Sequence, residues 1–137
     1  MKILGIDYGD RRTGVAVSDD SEFLASGVTT VKSADMEDTA LKIAEICREQ
    51  GAGKIVLGLP KNMDGSEGFR ADHTRNFGQA LVRLLPDVEI IYYDERMTTM
   101  AAAEYMNITD VRGKKRKDSI DLLAAKIILQ DYLDSKR

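Results

Sequence analysis

The length, composition and charge of the chain restrict the classes of protein to which it can belong. Its 137 residues fit one domain of ordinary size, which we expect to span residues 1–137. One cysteine and one histidine are too few for a disulfide framework, a zinc cluster or a Ser-His-Asp mechanism. No leader pattern and no apolar run near the roughly 20 residues of a membrane span is present, so we expect a cytoplasmic protein without membrane contact. The net charge of −3 argues against a protein that coats nucleic acid nonspecifically.

Short apolar segments separated by turn residues predict three strands near the N-terminus. The segments span residues 2–7, 15–18 and 28–31. The connections between them are short and contain the Gly, Asp and Ser residues that favour turns. This spacing indicates an antiparallel meander.

Helical periodicity appears after the third strand. In residues 35–50 apolar side chains recur at helical spacing, and Gly51 ends the pattern. The other predicted elements are strands at residues 54–59 and 88–93, helices at residues 70–85, 98–106 and 118–133, and a basic loop at residues 107–117. A hairpin region followed by alternating helices and strands indicates an α/β fold, with a mixed sheet and helices packed on its faces.

Acidic residues stand at the ends of three predicted elements. Asp7 ends the first strand, and Glu95 follows the last one. Asp118 and Asp121 open the final helix, where their spacing places both near one face of the first turn. Each acid also has a structural explanation, because Asp7 could cap the following turn, Glu95 could favour the dipole of a following helix, and Asp118 could be an N-cap.

The combination of these acids favours a metal centre. Their elements are expected to meet at the middle of one sheet, and the small residues Ala124 and Ala125 would let the final helix approach closely. Mg²⁺ prefers oxygen ligands, and Mn²⁺ is the alternative ion. Two such ions about 4 Å apart can clamp the attacking and leaving oxygens of a phosphodiester. The pattern therefore predicts metal-dependent phosphodiester chemistry.

Four ordered motifs resemble those of the YqgF/RuvX family and span nearly the whole chain. The first motif is GIDYG with RRTGVAVSD, at residues 5–9 and 11–19. The others are GLPKNMDGS at residues 58–66, YDERMTT at residues 93–99 and DLLAAKIILQ at residues 121–130. A lone Gly-Ile-Asp-x-Gly would be weak, because sugar kinases and chaperone ATPases share it.

The resemblance implies a five-stranded, mixed RNase H-like sheet with helices on both faces, related to the RuvC Holliday-junction resolvases. It implies metal-dependent cleavage of phosphodiesters, with the family's acidic positions falling on Asp7, Glu95 and Asp121. Asp118 is a candidate fourth ligand, as in the junction resolvases. The family is described both as a nuclease that matures the 5′ end of pre-16S ribosomal RNA and as a Holliday-junction resolvase.

Basic and polar residues near the predicted acids are candidates for binding nucleic acid. The densest basic run directly precedes the acidic helix, and each phosphate contact from it would add salt-dependent affinity. Arg96 could contact the scissile phosphate or pair with Asp94. The loop at residues 60–68 contains two glycines and is predicted to be mobile. The full candidate set is Arg11, Arg12, Lys61, Asn62, Arg96, Arg112, Lys114, Lys115, Arg116 and Lys117.

Four functions remain open at this point. The first is a nuclease acting on structured RNA, with the ribosome or pre-ribosomal particles as additional partners. The second is a resolvase of branched DNA, which would favour a two-fold homodimer over a monomer because it cuts two strands symmetrically. The third is an ATP-binding module of the sugar-kinase type, against which the length argues. The fourth is a non-catalytic nucleic-acid-binding or ribosome-assembly protein.

Overall fold

A computed structural model describes residues 1–95 and 113–136 of the chain, and the side chains of residues 113–119 are not among those described. The strands are β1 (Ile3–Asp7), β2 (Arg12–Ser18), β3 (Ala25–Lys32), β4 (Lys54–Leu59) and β5 (Glu89–Asp94). The helices in the described residues are α1 (Met36–Gln50), α2 (Phe69–Leu84) and α3 (Gly113–Ser135). None of these helices is long and apolar enough to cross a membrane.

The five strands form one mixed sheet in the order β3-β2-β1-β4-β5. Neighbouring strands β1, β2 and β3 are antiparallel, which confirms the predicted meander. Strands β4 and β5 run parallel to β1, because a helix carries the chain back before each of them. The central position of β1 places its carboxyl end between the ends of its two neighbours.

Helices cover both faces of the sheet, as predicted. On one face α1 and α2 pack over a buried cluster that includes Leu4 and Ile6 of β1. On the other face α3 packs over a second cluster that includes Ile3. Alternate residues of β1 therefore point into opposite layers, and the strand is buried on both sides.

Two glycines allow α3 to lie close against the sheet. A Cβ atom on Gly5 of β1 would lie 2.5 Å from the Leu129 Cβ atom. A Cβ atom on Gly14 of β2 would overlap the carbonyl oxygen of Asp121. Since van der Waals contact between such atoms requires well over 3 Å, a larger residue at either position would push α3 away.

The first helices and strands follow their predicted bounds closely, with two strands longer than expected. Helix α1 begins at the N-cap Asp35, whose carboxylate accepts a hydrogen bond from the Asp38 N–H at 3.2 Å, and it ends at Gly51 in the left-handed conformation. Strands β2 and β3 begin three residues before residues 15 and 28. These first residues include polar side chains, so a prediction based on apolar runs did not assign them to the strands.

The predicted start of the last helix is wrong. Helix α3 begins at Gly113, so residues 113–117 are helical and not part of a loop. Lys and Arg are good helix formers, and a run of positive charge does not by itself end a helix. Asp118 consequently lies inside α3 and is not its N-cap. The predicted helix at residues 98–106 and the rest of the predicted loop, residues 107–112, lie outside the described residues.

Replacing Gly14 with Ala should destabilise the fold. The added methyl group would meet the backbone of α3, and overpacking of this kind should lower the free energy of unfolding by about 2 kcal/mol or more. Urea unfolding measures the loss. Gly68→Ala is the control, because its methyl group would meet only Asn62 at 3.4 Å or more, and it should cost under about 1 kcal/mol. Equal losses in the two variants would contradict close packing at Gly14.

Candidate active site

Asp7 lies at the carboxyl end of the central strand and is mostly buried. It pairs with Gly14 of β2, and it follows the pair formed by Ile6 and Leu57 of β4. Burial raises the pKa of the Asp7 carboxyl to about 7, and the negative charges of Glu95 and Asp121 add to this effect. A carboxyl group in this position is poorly stabilised as an anion unless a cation accompanies it.

Glu95 comes directly after β5 and reaches across the neighbouring strand. A Cβ atom on Gly58 of β4 would lie 2.6 Å from Glu95 Oε2, so the carboxylate lies over the surface that this glycine leaves open. Burial raises the pKa of Glu95, the positive charge of Arg70 lowers it, and the charge of Asp94 raises it again. Glu95 therefore faces the same end of the sheet as Asp7.

Asp121 reaches this end of the sheet from α3. Its backbone packs against Gly14, the residue that pairs with Asp7. The charge of Asp121 is one of the causes that raise the pKa of Asp7. The structure thus brings the three sequence-predicted acids into one electrostatic group, each from a different element.

The donor set of this group fits a hard divalent cation. Its three members offer only carboxylate oxygens, which Mg²⁺ and Mn²⁺ accept, and no thiolate or imidazole belongs to it. In the described part of the chain no group of three or more His, Cys, Asp and Glu side chains is arranged to hold a metal ion, so these carboxylates would have to draw together around a cation. The burial and mutual repulsion of the carboxylates are the features that a bound cation would offset. The side chain of the fourth candidate, Asp118, lies outside the described residues.

Arg70 is a member of this site that the sequence reasoning missed. Its positive charge lowers the pKa of both Asp7 and Glu95. It lies in the first turn of α2, where a cation opposes the helix dipole. That unfavourable placement, on the helix that follows β4, was a signal in the sequence, because ligands of α/β sheets bind beyond the carboxyl ends of the strands.

Two shallow cavities flank Arg70 and Phe69. The first is lined additionally by Tyr8, Gly9, Asp10, His73 and Thr74. The second is lined additionally by Pro60, Lys61, Asn62, Gly68 and Ala71. Phe69 and Arg70 line both cavities, so the two lie side by side, and together we call them the α2 groove. It passes the residues that directly follow β1 and β4.

The loop at residues 60–68, predicted to be mobile, is closed by hydrogen bonds. The Asn62 N–H donates to the Ser66 carbonyl at 2.9 Å, and the Asn62 side-chain amide donates to Ser66 Oγ at 3.0 Å. Ser66 Oγ in turn donates to Asp64 Oδ1 at 2.6 Å. These bonds give the loop a defined shape that holds Lys61 and Asn62 on the α2 groove.

The other predicted binding residues are only partly located. Arg11 is exposed, and Arg12 begins β2 at the same end of the sheet as Asp7. Arg96 and Arg112 lie outside the described residues, as do the side chains of Lys114, Lys115, Arg116 and Lys117. The backbone of that last group lies at the start of α3, about one to two turns before Asp121.

The chain belongs to the RuvX family. Residues 1–135 match the sequence model of that family, which is described as "RuvX: Holliday junction resolvase". Similar proteins carry the name "Putative pre-16S rRNA nuclease". One from Clostridium tetani is 45% identical over 98% of this chain and 97% of its own length. One from Staphylococcus haemolyticus is 44% identical over 98% of this chain and 96% of its own length.

Solved structures with the same fold confirm the predicted RNase H-like architecture. A Thermus thermophilus RuvC bound to a Holliday junction substrate superposes with a TM-score of 0.63, at 14% identity over 99% of this chain and 95% of that chain. A fowlpox virus resolvase bound to Holliday junction DNA superposes with a TM-score of 0.58, at 12% identity over 99% of each chain. Identities this low establish the common fold alone.

The titration of Asp7 should make the metal-free protein less stable as the pH rises. The Asp7 pKa is about 7 in the folded chain against a usual 3.8, so the folded state binds this proton more tightly than the unfolded state. The free energy of unfolding therefore falls as the pH rises between these two values. Asp7→Asn removes the titration, and its melting temperature should exceed that of the wild type by on the order of 5 °C at about pH 8.

Thermal unfolding in the presence of a chelator measures this difference. The two melting temperatures should converge only below about pH 3, where Asp7 is largely neutral in both folded and unfolded chains. Asp87→Asn, an exposed acid between α2 and β5, is the matched control and should follow the wild type. A constant difference between Asp7→Asn and the wild type at every pH would contradict the raised pKa.

Proposed function

We propose that this chain is a single-domain nuclease that hydrolyses phosphodiester bonds with the help of a divalent metal ion. The observation that carries the proposal is the meeting of Asp7, Glu95 and Asp121 at one end of the sheet, where the charges of Glu95 and Asp121 destabilise the charged form of Asp7. Such a group is costly to the fold alone and useful once a cation binds. Membership of the RuvX family supports the same function.

Asp7, Glu95 and Asp121 would hold Mg²⁺ or Mn²⁺. When bound, the ion would supply Lewis-acid stabilisation of the phosphoryl charge and a water molecule of lowered pKa. The chain places Asp7 at the end of β1, Glu95 directly after β5 and Asp121 on α3. These rigid elements limit reorganisation of the carboxylates during the reaction. Arg70 adds a positive charge on the side of the site that α2 covers.

The proposed substrate is the precursor of 16S ribosomal RNA, cleaved near its 5′ end. Relatives at 44–45% identity over nearly the full chain carry the name "Putative pre-16S rRNA nuclease". The second candidate is cleavage of branched DNA, which the description of the family favours. The ribosome or a pre-ribosomal particle would be the partner in the first case, and a two-fold homodimer would suit the second.

Cleavage should require Asp7. Purified protein with Mg²⁺ or Mn²⁺ should cut a structured pre-16S RNA. Asp7→Asn should reduce the rate by more than about 100-fold, because losing a metal ligand should cost at least as much as losing a residue that hydrogen-bonds to a ligand. Asp87→Asn should retain wild-type activity. A four-way DNA junction tested in parallel distinguishes the substrates, since paired symmetric nicks in the DNA would establish the resolvase. Full activity in Asp7→Asn would overturn the proposed site.

The basic turn of α3 should provide salt-dependent affinity for the substrate. Replacing Lys114, Lys115, Arg116 and Lys117 with Gln should weaken binding. The slope of log affinity against log salt should fall by about 0.7 for each lost contact to single-stranded RNA and by about 0.9 for each lost contact to duplex DNA. Fluorescence anisotropy at several salt concentrations measures both effects. An unchanged slope would show that this turn does not contact the phosphates.

A further inference from the structure

We propose that Arg70 binds a phosphate of the substrate strand beside the carboxylate group and positions that strand for cleavage. This assignment rests on the proposed nuclease function and adds a contact that comes from α2. The ligand chemistry is a phosphodiester, which a guanidinium can bind through two parallel N–H donors.

Arg70 lies where a strand in the α2 groove would pass the carboxylates. It is the charged residue common to both halves of the α2 groove, which passes Tyr8 after β1 on one side and Pro60 after β4 on the other. A strand lying in this groove would cross the end of the sheet at which Asp7 stands. Arg70 would then meet the backbone next to the carboxylates, and Lys61 would meet it further along.

The N–H donors of the Arg70 side chain are not used by the described part of the fold. Arg70 is an exposed residue, and within the described residues its side chain takes part in no hydrogen bond or ion pair. Arg75, just over one turn later on the same helix, instead binds both oxygens of Glu67 at 2.6 and 2.8 Å. The donors of Arg75 are therefore committed to the fold, whereas those of Arg70 are available to a ligand.

Arg70 places a positive charge next to the negative charges of the acids. Asp7, Glu95 and Asp121 repel an approaching phosphate, and Arg70 acts on the first two of them with the opposite sign. A cation in the first turn of a helix opposes the helix dipole, so this position brings no benefit to α2 itself. The positive charge of Arg70 would instead stabilise an anion in the α2 groove, which would otherwise face the acidic neighbours at this end of the sheet.

The test compares Arg70→Gln and Arg70→Lys with Arg83→Gln, an exposed arginine in the last turn of the same helix. Steady-state cleavage of the pre-16S RNA and of the DNA junction is measured for each. Arg70→Gln should lower kcat/KM by about 10- to 100-fold, the range expected for losing a hydrogen bond to a charged group. Arg70→Lys should retain part of the activity, because it keeps the charge and loses the paired donors. Arg83→Gln should match the wild type.

A binding measurement separates substrate contact from an effect on the carboxylates. In a chelator, Asp7→Asn with Arg70→Gln should bind the same nucleic acid more weakly than Asp7→Asn alone, and the loss of cleavage should be the same across the pH range. Recovery of the Arg70→Gln rate at higher pH, with unchanged binding, would mean that Arg70 only keeps Asp7 and Glu95 ionised, and would overturn the proposal.

The remaining outcomes are also decisive. Wild-type cleavage together with equal activities of Arg70→Gln and Arg83→Gln would overturn the Arg70 assignment and leave the nuclease intact. Absence of both binding and cleavage by the wild type would overturn the proposed function, and the Arg70 assignment with it. Thermal unfolding checks that each variant folds, and Arg70→Lys provides the test if Arg70→Gln does not.

Discussion

The repulsion among carboxylates held at the end of the central strand is the interaction on which the site depends. Asp7 pairs with Gly14 of β2 and directly follows the Ile6–Leu57 pair on the β4 side, so it cannot move away from Glu95 and Asp121 without disturbing the sheet. Its raised pKa records the energetic cost of holding it there. Under the proposed function this cost is useful, because the fold would already have desolvated the carboxylates that a cation is to bind.

Close packing of α3 is what allows this repulsion to arise. Gly14 of β2 leaves room for the backbone of Asp121, and Gly5 of β1 leaves room for Leu129 two turns later. With side chains at these positions, the helix would stand further from the sheet and Asp121 would leave the electrostatic range of Asp7. The small residues of strand and helix are therefore as important to the site as the acids themselves.

Much of the fold could be predicted from the sequence, because period-2 and period-3.6 patterns record which face of each element is buried. The acids were also recognisable, since buried strands end at Asp7 and just before Glu95. The start of α3 was missed because the charged residues 113–117 carry no apolar period. Arg70 was missed because its only signal in the sequence is its position in the first turn of a helix, and its meaning becomes clear from its effect on the carboxylates.

The carboxylate centre by itself does not explain a choice between RNA and DNA. Metal-assisted attack on phosphorus uses groups that both nucleic acids share, so discrimination has to come from the surface around the centre. If the proposed function holds, that surface includes the α2 groove, one side of which is shaped by the hydrogen bonds of Asn62, Asp64 and Ser66. A wall built by short internal hydrogen bonds resists adaptation to differently shaped strands. Its fixed shape, more than the acids, should therefore decide which nucleic-acid backbone can reach Asp7.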